Sequence, residues 1–357
     1  MNNDSRQPLL TRTQCAAMRG LAILGIVLHN YCHWLGFAVK ENEYTFTLNN
    51  WRRLLAELAS PTWDLPIHLL SFFGHYGVPT FLFLSAYGLV MKYEQNAGPA
   101  TKTISPREEL RSAWSFVWKH FRKLFDMMIA GFVVFTLFDA MTPGRHIYTA
   151  TDIIAQLTMT NNLLPDPDHV IWPGPYWFFG LMLQLYIVYR LLLQRSGWRV
   201  AVASVLLCWL IQALCAPEGD ALNRVRYNCL GGMLPFVAGL LYARHGRELK
   251  RSTWVLILVL STAGIVGFSS TFHLWLWAPL LVCAFSVALV KVLPRTLGEG
   301  LAWVGAISAA MFVLHPVTRK IFIGVYRHDN VYAGLLLYAT ATVAVAWFYG
   351  YVKRFKH

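Results

Sequence analysis

MRGLAILGIVLHNYCHW, residues 18–34, is apolar over nearly a full membrane crossing, yet it opens with Arg19 and carries His29 and His33 four residues apart. At 1.5 Å rise per residue the stretch covers about 25 Å, close to the roughly 30 Å of a bilayer's hydrocarbon layer. An ionisable side chain at that depth costs several kcal/mol unless it faces protein or water. The stretch therefore reads as a membrane helix with one face turned away from lipid.

The rest of the chain follows the same pattern. Of 357 residues, 56% are hydrophobic and 14% charged, and 14 are tryptophan, more apolar surface than a water-soluble core can hide. Apolar runs recur near residues 18–38, 67–91, 124–141, 174–193, 200–215, 227–243, 253–270, 274–291, 301–323 and 331–351. Strand crossings would need only about ten residues each with alternating polarity, which excludes a barrel. The expectation is an all-α integral membrane protein of about ten transmembrane helices. Its parts would be a cytoplasmic leader (1–17), a membrane domain (18–351) and a basic cytoplasmic tail (352–357). No small-residue cleavage site ends the first apolar segment, which runs on into Trp34 and Leu35, so that helix should be retained.

The net charge of +13 would suggest nucleic acid in a soluble protein; here its distribution reports topology and no nucleic-acid partner is expected. With the N-terminus inside, 22 of the 31 Lys and Arg fall on the inner side, which favours both termini in the cytoplasm. Two outer segments, 39–66 and 142–173, exceed simple turns and mix aromatics with acids and amides: Trp51, Trp63, Asp64, Asn161, Asn162, Asp166, Asp168, His169 and Trp172. They are candidates to line a site facing away from the cytoplasm, or belong to an interfacial tryptophan belt. The inner loop 92–120 holds a helix start, Ser105 as N-cap with Pro106 in the first turn. The six cysteines show no metal or CxxC spacing and read as packing residues; no metal site is expected.

Few polar groups lie within the spans. Along the first helix His29 and His33 stand about 15 and 21 Å beyond Arg19. His33 lies one turn above His29, whereas Arg19 is about 80° around the axis from His29. The second span carries His68, His75 and Ser85, with Gly74, Gly77, Pro79 and Gly88 allowing close approach of a backbone or ligand. WKHFRKLF gathers Lys119, His120, Arg122 and Lys123, with Asp126 placed to pair with Arg122; such a cluster suits donor phosphates or anionic lipid. Trp177 and Gln184 share a face of the fourth span, and Gln184 needs a partner. His315 lies deep in the ninth span beside Pro316, which frees a backbone carbonyl. Histidine is the side chain suited to proton transfer near neutrality. A cationic inner mouth, a histidine midway and an aromatic outer cavity suit a donor anchored by its phosphates that meets an acceptor from the other side.

These segments also resemble a known family. Arg19-Gly20-Leu21-Ala22-Ile23-Leu24 followed by His29, then GVPTFLFLSAYGL (77–89), FRKLF (121–125), PYWFFGLMLQLY (175–186), and finally Ile307-Ser308 followed by Leu314-His315-Pro316 look like the acyltransferase family 3 pattern of integral membrane O-acyltransferases. The resemblance implies a multi-pass protein of the bacterial inner membrane. It would move an acyl group, most simply acetyl, from acyl-CoA to a hydroxyl of an extracytoplasmic glycan or lipid-linked sugar, with no tightly bound cofactor. It implies Arg19 and His29 as essential, with His29 the base. Arg19, Arg122, Lys123 and Ser85 would serve the donor, and His33, His75, Trp177, Gln184 and His315 the cavity or acceptor. Three departures stand out. Nine residues rather than ten separate Arg19 from His29, so Asn30 falls where the histidine is expected and His33 stays a second candidate. The basic cluster lacks its following proline, and Gln184 replaces a glutamate common in relatives. A proton-coupled transporter using the same histidines is the alternative from another class.

Overall fold

The structure, a computed structural model, describes residues 8–95, 105–328 and 330–354. Arg6, Lys102 and residues 355–357 of the basic tail lie outside the described residues, as do the side chains of Arg327, Lys353 and Arg354. Among the described residues the chain is all helical, without strands. The helices are α1 (Arg12–Cys32), α2 (Leu48–Ala59), α3 (Leu65–Phe73), α4 (Gly77–Val90), α5 (Pro106–Ala140), α6 (Ala150–Thr158), α7 (Pro167–Val170), α8 (Trp177–Val188) and α9 (Trp198–Ala213). They continue as α10 (Asp220–Tyr227), α11 (Cys229–His245), α12 (Arg251–Phe268), α13 (Phe272–Trp275), α14 (Ala278–Val292), α15 (Arg295–Ala306), α16 (Ser308–Phe322) and α17 (Val331–Arg354).

Helix starts follow local chemistry. Thr11 and Gln14 form a reciprocal capping box, at 3.1 and 3.0 Å, that satisfies two orphan N–H groups and starts α1 six residues before the expected 18. Most of the expected leader's last turns are therefore helix. Ser105 caps α5 in the same way with Glu108, and Pro106 occupies the first turn, as the sequence suggested. With 35 residues α5 is about 52 Å long, well beyond a bilayer's core.

Five stretches are long and apolar enough to cross a membrane: Arg12–Cys32, Leu65–Gln95, Gly174–Leu193, Arg251–Phe268 and Val331–Val352. Counted as one span, the pair Arg295–Ala306 and Ser308–Val325 makes a sixth. The other runs taken as spans fall on α9 and α14, with 16 and 15 residues, on α11, which contains Pro235, and on the C-terminal half of α5. Exposed apolar side chains such as Val255, Leu256, Val259 and Leu260 cover α12, whose buried side chains are only Trp254 and Ser261. A helix so dressed needs lipid around it. This is a multi-pass membrane protein.

Two expected spans are broken. The second becomes α3, a tight turn at Gly74–Tyr76, and α4. The turn lies against α1: a Cβ on Gly77 would fall 2.2 Å from the Ala22 carbonyl oxygen, and one on Gly74 would fall 2.6 Å from Cβ of His29. Pro79 sits in the first turn of α4, where its missing N–H has no helical partner to lose. Gly88, grouped with these glycines in the sequence, has no such neighbour. The expected ninth span is α15 and α16, bent by 66° at Ile307. Before that bend α15 crosses α1 closely, because Gly20 lies against Leu301 and Gly305 against Ala16; a Cβ at either glycine would stand within 2 Å of a carbonyl oxygen. Interhelical hydrogen bonds hold the interior, among them Thr80–Ser286 at 2.8 Å and Tyr338 to the Val27 carbonyl at 2.9 Å. All six cysteines are free thiols.

Candidate active site

The close approach at Gly74 brings three histidines together at the C-terminal end of α1. The His29 ring lies 4.9 Å from that of His33 and 5.5 Å, edge to face, from that of His75 in the tight turn. All three are poorly exposed, His29 at 8% and His75 at 1%. His29 Nδ1 lies 2.9 Å from the Ser71 carbonyl oxygen near the end of α3. A carbonyl can only accept, so Nδ1 carries the proton of the neutral imidazole and Nε2 is left with its lone pair. Neither nitrogen of His75, nor Nδ1 of His33, has a partner among the described residues. A buried polar atom left unpaired costs about 1–3 kcal/mol, so such a cluster marks a place built for something other than stability.

That place is a cavity of about 230 Å³ lined by His29, His33 and His75 together with Asn30, Trp34, Glu43, Tyr44, Asp168, Trp172, Trp177, Phe178, Tyr227, Phe312 and Arg319. Its wall is aromatic and braced. Tyr44 and Tyr227 stack in parallel 3.9 Å apart, and Trp177 meets both edge-on at 5.3 and 5.8 Å. Tyr227 donates its hydroxyl to Asp168 Oδ1 at 2.5 Å, while Asn223 donates to Oδ2 at 2.8 Å, so Asp168 is committed to holding the wall. Behind it Arg226 donates to the Glu43 carbonyl and to Gln212 Oε1, and lies 4.2 Å over the Trp275 ring. This pins the 39–46 loop to α10. Burial pushes the Glu41 and Glu43 carboxyls of that loop up to about 8.

A second constellation lies at the other end of α4. Ser85 shares a hydrogen bond of 3.2 Å with Tyr186, whose ring is 4.5 Å from that of His120. Lys92, Lys119 and Lys123 lie close enough to bear on the charge of His120. Arg122 and Lys123 are exposed on α5, and the Arg122–Asp126 pair suggested by spacing does not form among the described residues.

The ten residues singled out by sequence thus divide. His29, His33, His75 and Trp177 line one cavity. Ser85, Arg122 and Lys123 belong to the α4–α5 end, and Arg19, half-buried, lies ten residues before His29 and outside the cavity wall. Gln184 is placed apart from that wall: its amide donates to Asn228 Oδ1 at 2.7 Å and its carbonyl accepts the Cys229 N–H at 2.9 Å, so the side chain caps α11. His315 is fully buried, with Nδ1 3.2 Å from the Met311 carbonyl oxygen, and lies behind the wall formed by Phe312 and Arg319. His68 instead clasps the loop after α1, accepting the Val39 N–H at 3.1 Å. The residues sequence reading passed over are Arg319, Glu43, Tyr44 and Tyr227. Arg319 carried one usable signal, its position one helical turn beyond His315. Among the described residues no group of three or more His, Cys, Asp and Glu is arranged to hold a metal ion.

A multi-helix membrane protein with a buried histidine cavity walled by aromatics is the class these features define. The family model described as an acyltransferase domain, acyltransferase family 3, matches residues 16–351, and the chain belongs to that family. Searches of curated proteins and of solved structures found no match.

Proposed function

We propose that this membrane acyltransferase moves an acyl group, most simply acetyl, from cytoplasmic acyl-CoA to a hydroxyl of an extracytoplasmic glycan or lipid-linked sugar. His29 is the general base. The observation that carries this is the Ser71 carbonyl on His29 Nδ1, which leaves Nε2 a free acceptor at the wall of a cavity. The acceptor hydroxyl gives its proton to Nε2 as its oxygen forms a bond to the thioester carbonyl carbon. The C–S bond then breaks, and the departing CoA thiolate takes the proton from the imidazolium. The Tyr44, Tyr227 and Trp177 wall supplies apolar faces on which a pyranose ring stacks. Arg122, Lys123 and Arg19 meet the donor's phosphates, with Ser85 further along its path. The positive-charge asymmetry supports both termini inside, and ten crossings of a bacterial inner membrane are what the family resemblance implies.

In reconstituted membranes with acetyl-CoA and glycan acceptors, His29→Ala should lower transfer at least about 10³-fold, the usual scale for a general base acting with positioned reactants, with the protein still expressed and folded. Full activity in that variant removes the assignment of the base, and His33→Ala then tests the neighbouring ring.

A further inference from the structure

Arg319 is buried at 5% exposure on α16, and its guanidinium lines the same cavity as His29 and His33. No carboxylate lies within salt-bridge distance of it among the described residues. A buried cation is ordinarily paired, because desolvation leaves an isolated charge several kcal/mol uphill. Of five N–H donors, the described residues engage one group: Nη1 donates to Asn30 Oδ1 at 3.0 Å. Asn30 is itself held, since its amide nitrogen donates to the Ile26 carbonyl at 2.9 Å, which fixes its oxygen toward Arg319. Trp34 lies beneath the guanidinium, ring centre 4.4 Å from Cζ. The fork is thus aimed by a neighbour of His29 in sequence and supported from below, yet its charge is left without a counter-ion.

We propose that Arg319 is the electrophilic catalyst of the transfer, stabilising the oxyanion of the tetrahedral intermediate, and that Asn30 is its positioning residue. This rests on the acyl-transfer reading of the cavity. As the acceptor oxygen bonds to the thioester carbon and its proton passes to His29 Nε2, the carbonyl π electrons move onto oxygen. The negative charge formed there is met by the free N–H groups of Arg319. When the electrons return to re-form the carbonyl, the C–S bond breaks and the thiolate takes the proton from His29. Arg319 is neutralised only while the intermediate exists, so its interaction favours the transition state over bound substrate. The same reasoning accounts for the residue found where the family's histidine is expected: position 30 faces α16, and position 29 faces Ser71.

The test uses the full chain in lipid nanodiscs, acetyl-CoA, and methyl glucoside, galactoside, mannoside and rhamnoside as probe acceptors, reading thiol release and the acetylated glycoside. Arg319→Gln is expected to lower kcat about 10²–10³-fold, the scale of one lost oxyanion donor, with KM for acetyl-CoA and glycoside within about threefold of wild type. Arg319→Lys keeps charge without the fork and should fall between. Asn30→Ala, which frees a charged fork left in place, should lower kcat about tenfold and cover the case in which Arg319→Gln does not fold. A kcat within threefold of wild type in Arg319→Gln, or a loss carried wholly by the acceptor's KM, overturns the assignment while leaving His29 and acyl transfer standing. No acetyl transfer by wild type removes the underlying reading and this assignment with it, whereas full transfer in His29→Ala overturns the step as written through His29 and leaves acyl transfer standing.

Discussion

Two arginines of this protein, one half-buried and one buried, are held in opposite ways. Arg244, at the end of α11, spends every nitrogen: Nε and Nη2 grip Glu94 at 2.8 and 2.7 Å, while Nη1 and Nη2 reach the Ser196 and Leu193 carbonyls at 3.0 and 2.7 Å. Tyr189 donates to the same carboxylate at 2.9 Å. Arg319 makes one hydrogen bond to a neutral amide and rests on an indole. The first arrangement ties the turn after α4 to the ends of α8 and α11, and its charges cancel. The second leaves a charge uncancelled beside unpaired imidazoles. Satisfied polar groups stabilise a fold, whereas unsatisfied ones at a cavity wall are kept for a reacting partner.

The contrast can be broken at either end. The largest loss of stability should come from Arg244→Ala, which strands Glu94 in a mostly buried position. Breaking such a pair costs about 3–5 kcal/mol. Poor yield and a much lower melting temperature are expected, with kcat of the folded fraction unchanged; a selective loss of kcat would place Arg244 in the site. Arg319→Gln should behave conversely, folded but slow. A milder effect is expected on the wall. Tyr227→Phe removes the bond to Asp168 and loosens the stack on Tyr44, so acceptor KM should rise about tenfold, equivalent to about 1.4 kcal/mol, with donor KM unmoved. A rise in donor KM instead would move the wall to the CoA side.

The smallest effect concerns pH. Burial raises the Glu41 and Glu43 carboxyls to about 8 from an ordinary value near 4.5. The folded protein therefore holds protons that the unfolded chain releases. That stability is fully present below about pH 4.5 and is lost as pH rises through about 8. Melting temperature in detergent should fall over this window. Glu41→Gln with Glu43→Gln should flatten the slope, and an unchanged slope would assign it to other groups.

Much of the architecture was legible before any tertiary contact was known. Ser105 with Pro106 announced the start of α5 because capping is local chemistry between residues three apart. Membrane residence followed from apolar length, His29, His33 and His75 were singled out because polar side chains in apolar runs are costly, and Trp177 because it shares a helix face with Gln184. The breaks were harder. Gly74 and Gly77 were recognised as points of close approach, but which backbone came near, Ala22 and His29 of α1, depended on packing. Gln184 was said to need a partner, but which partners it finds was not legible, since Asn228 and Cys229 lie 44 and 45 residues away.

The sequence alone determined the class of solvent this protein folds in, the start of α5 and the family, because hydrophobic length, capping and motif order are local along the chain. The tertiary structure decided which polar groups are partnered. Whether Arg319 is anchored, a positive-outside charge or the electrophile of a cavity depends on what stands within about 4 Å of it, and those neighbours, Asn30 and Trp34, come from the opposite end of the chain. Partnering in space is what separates a residue that holds the fold from one left free for chemistry.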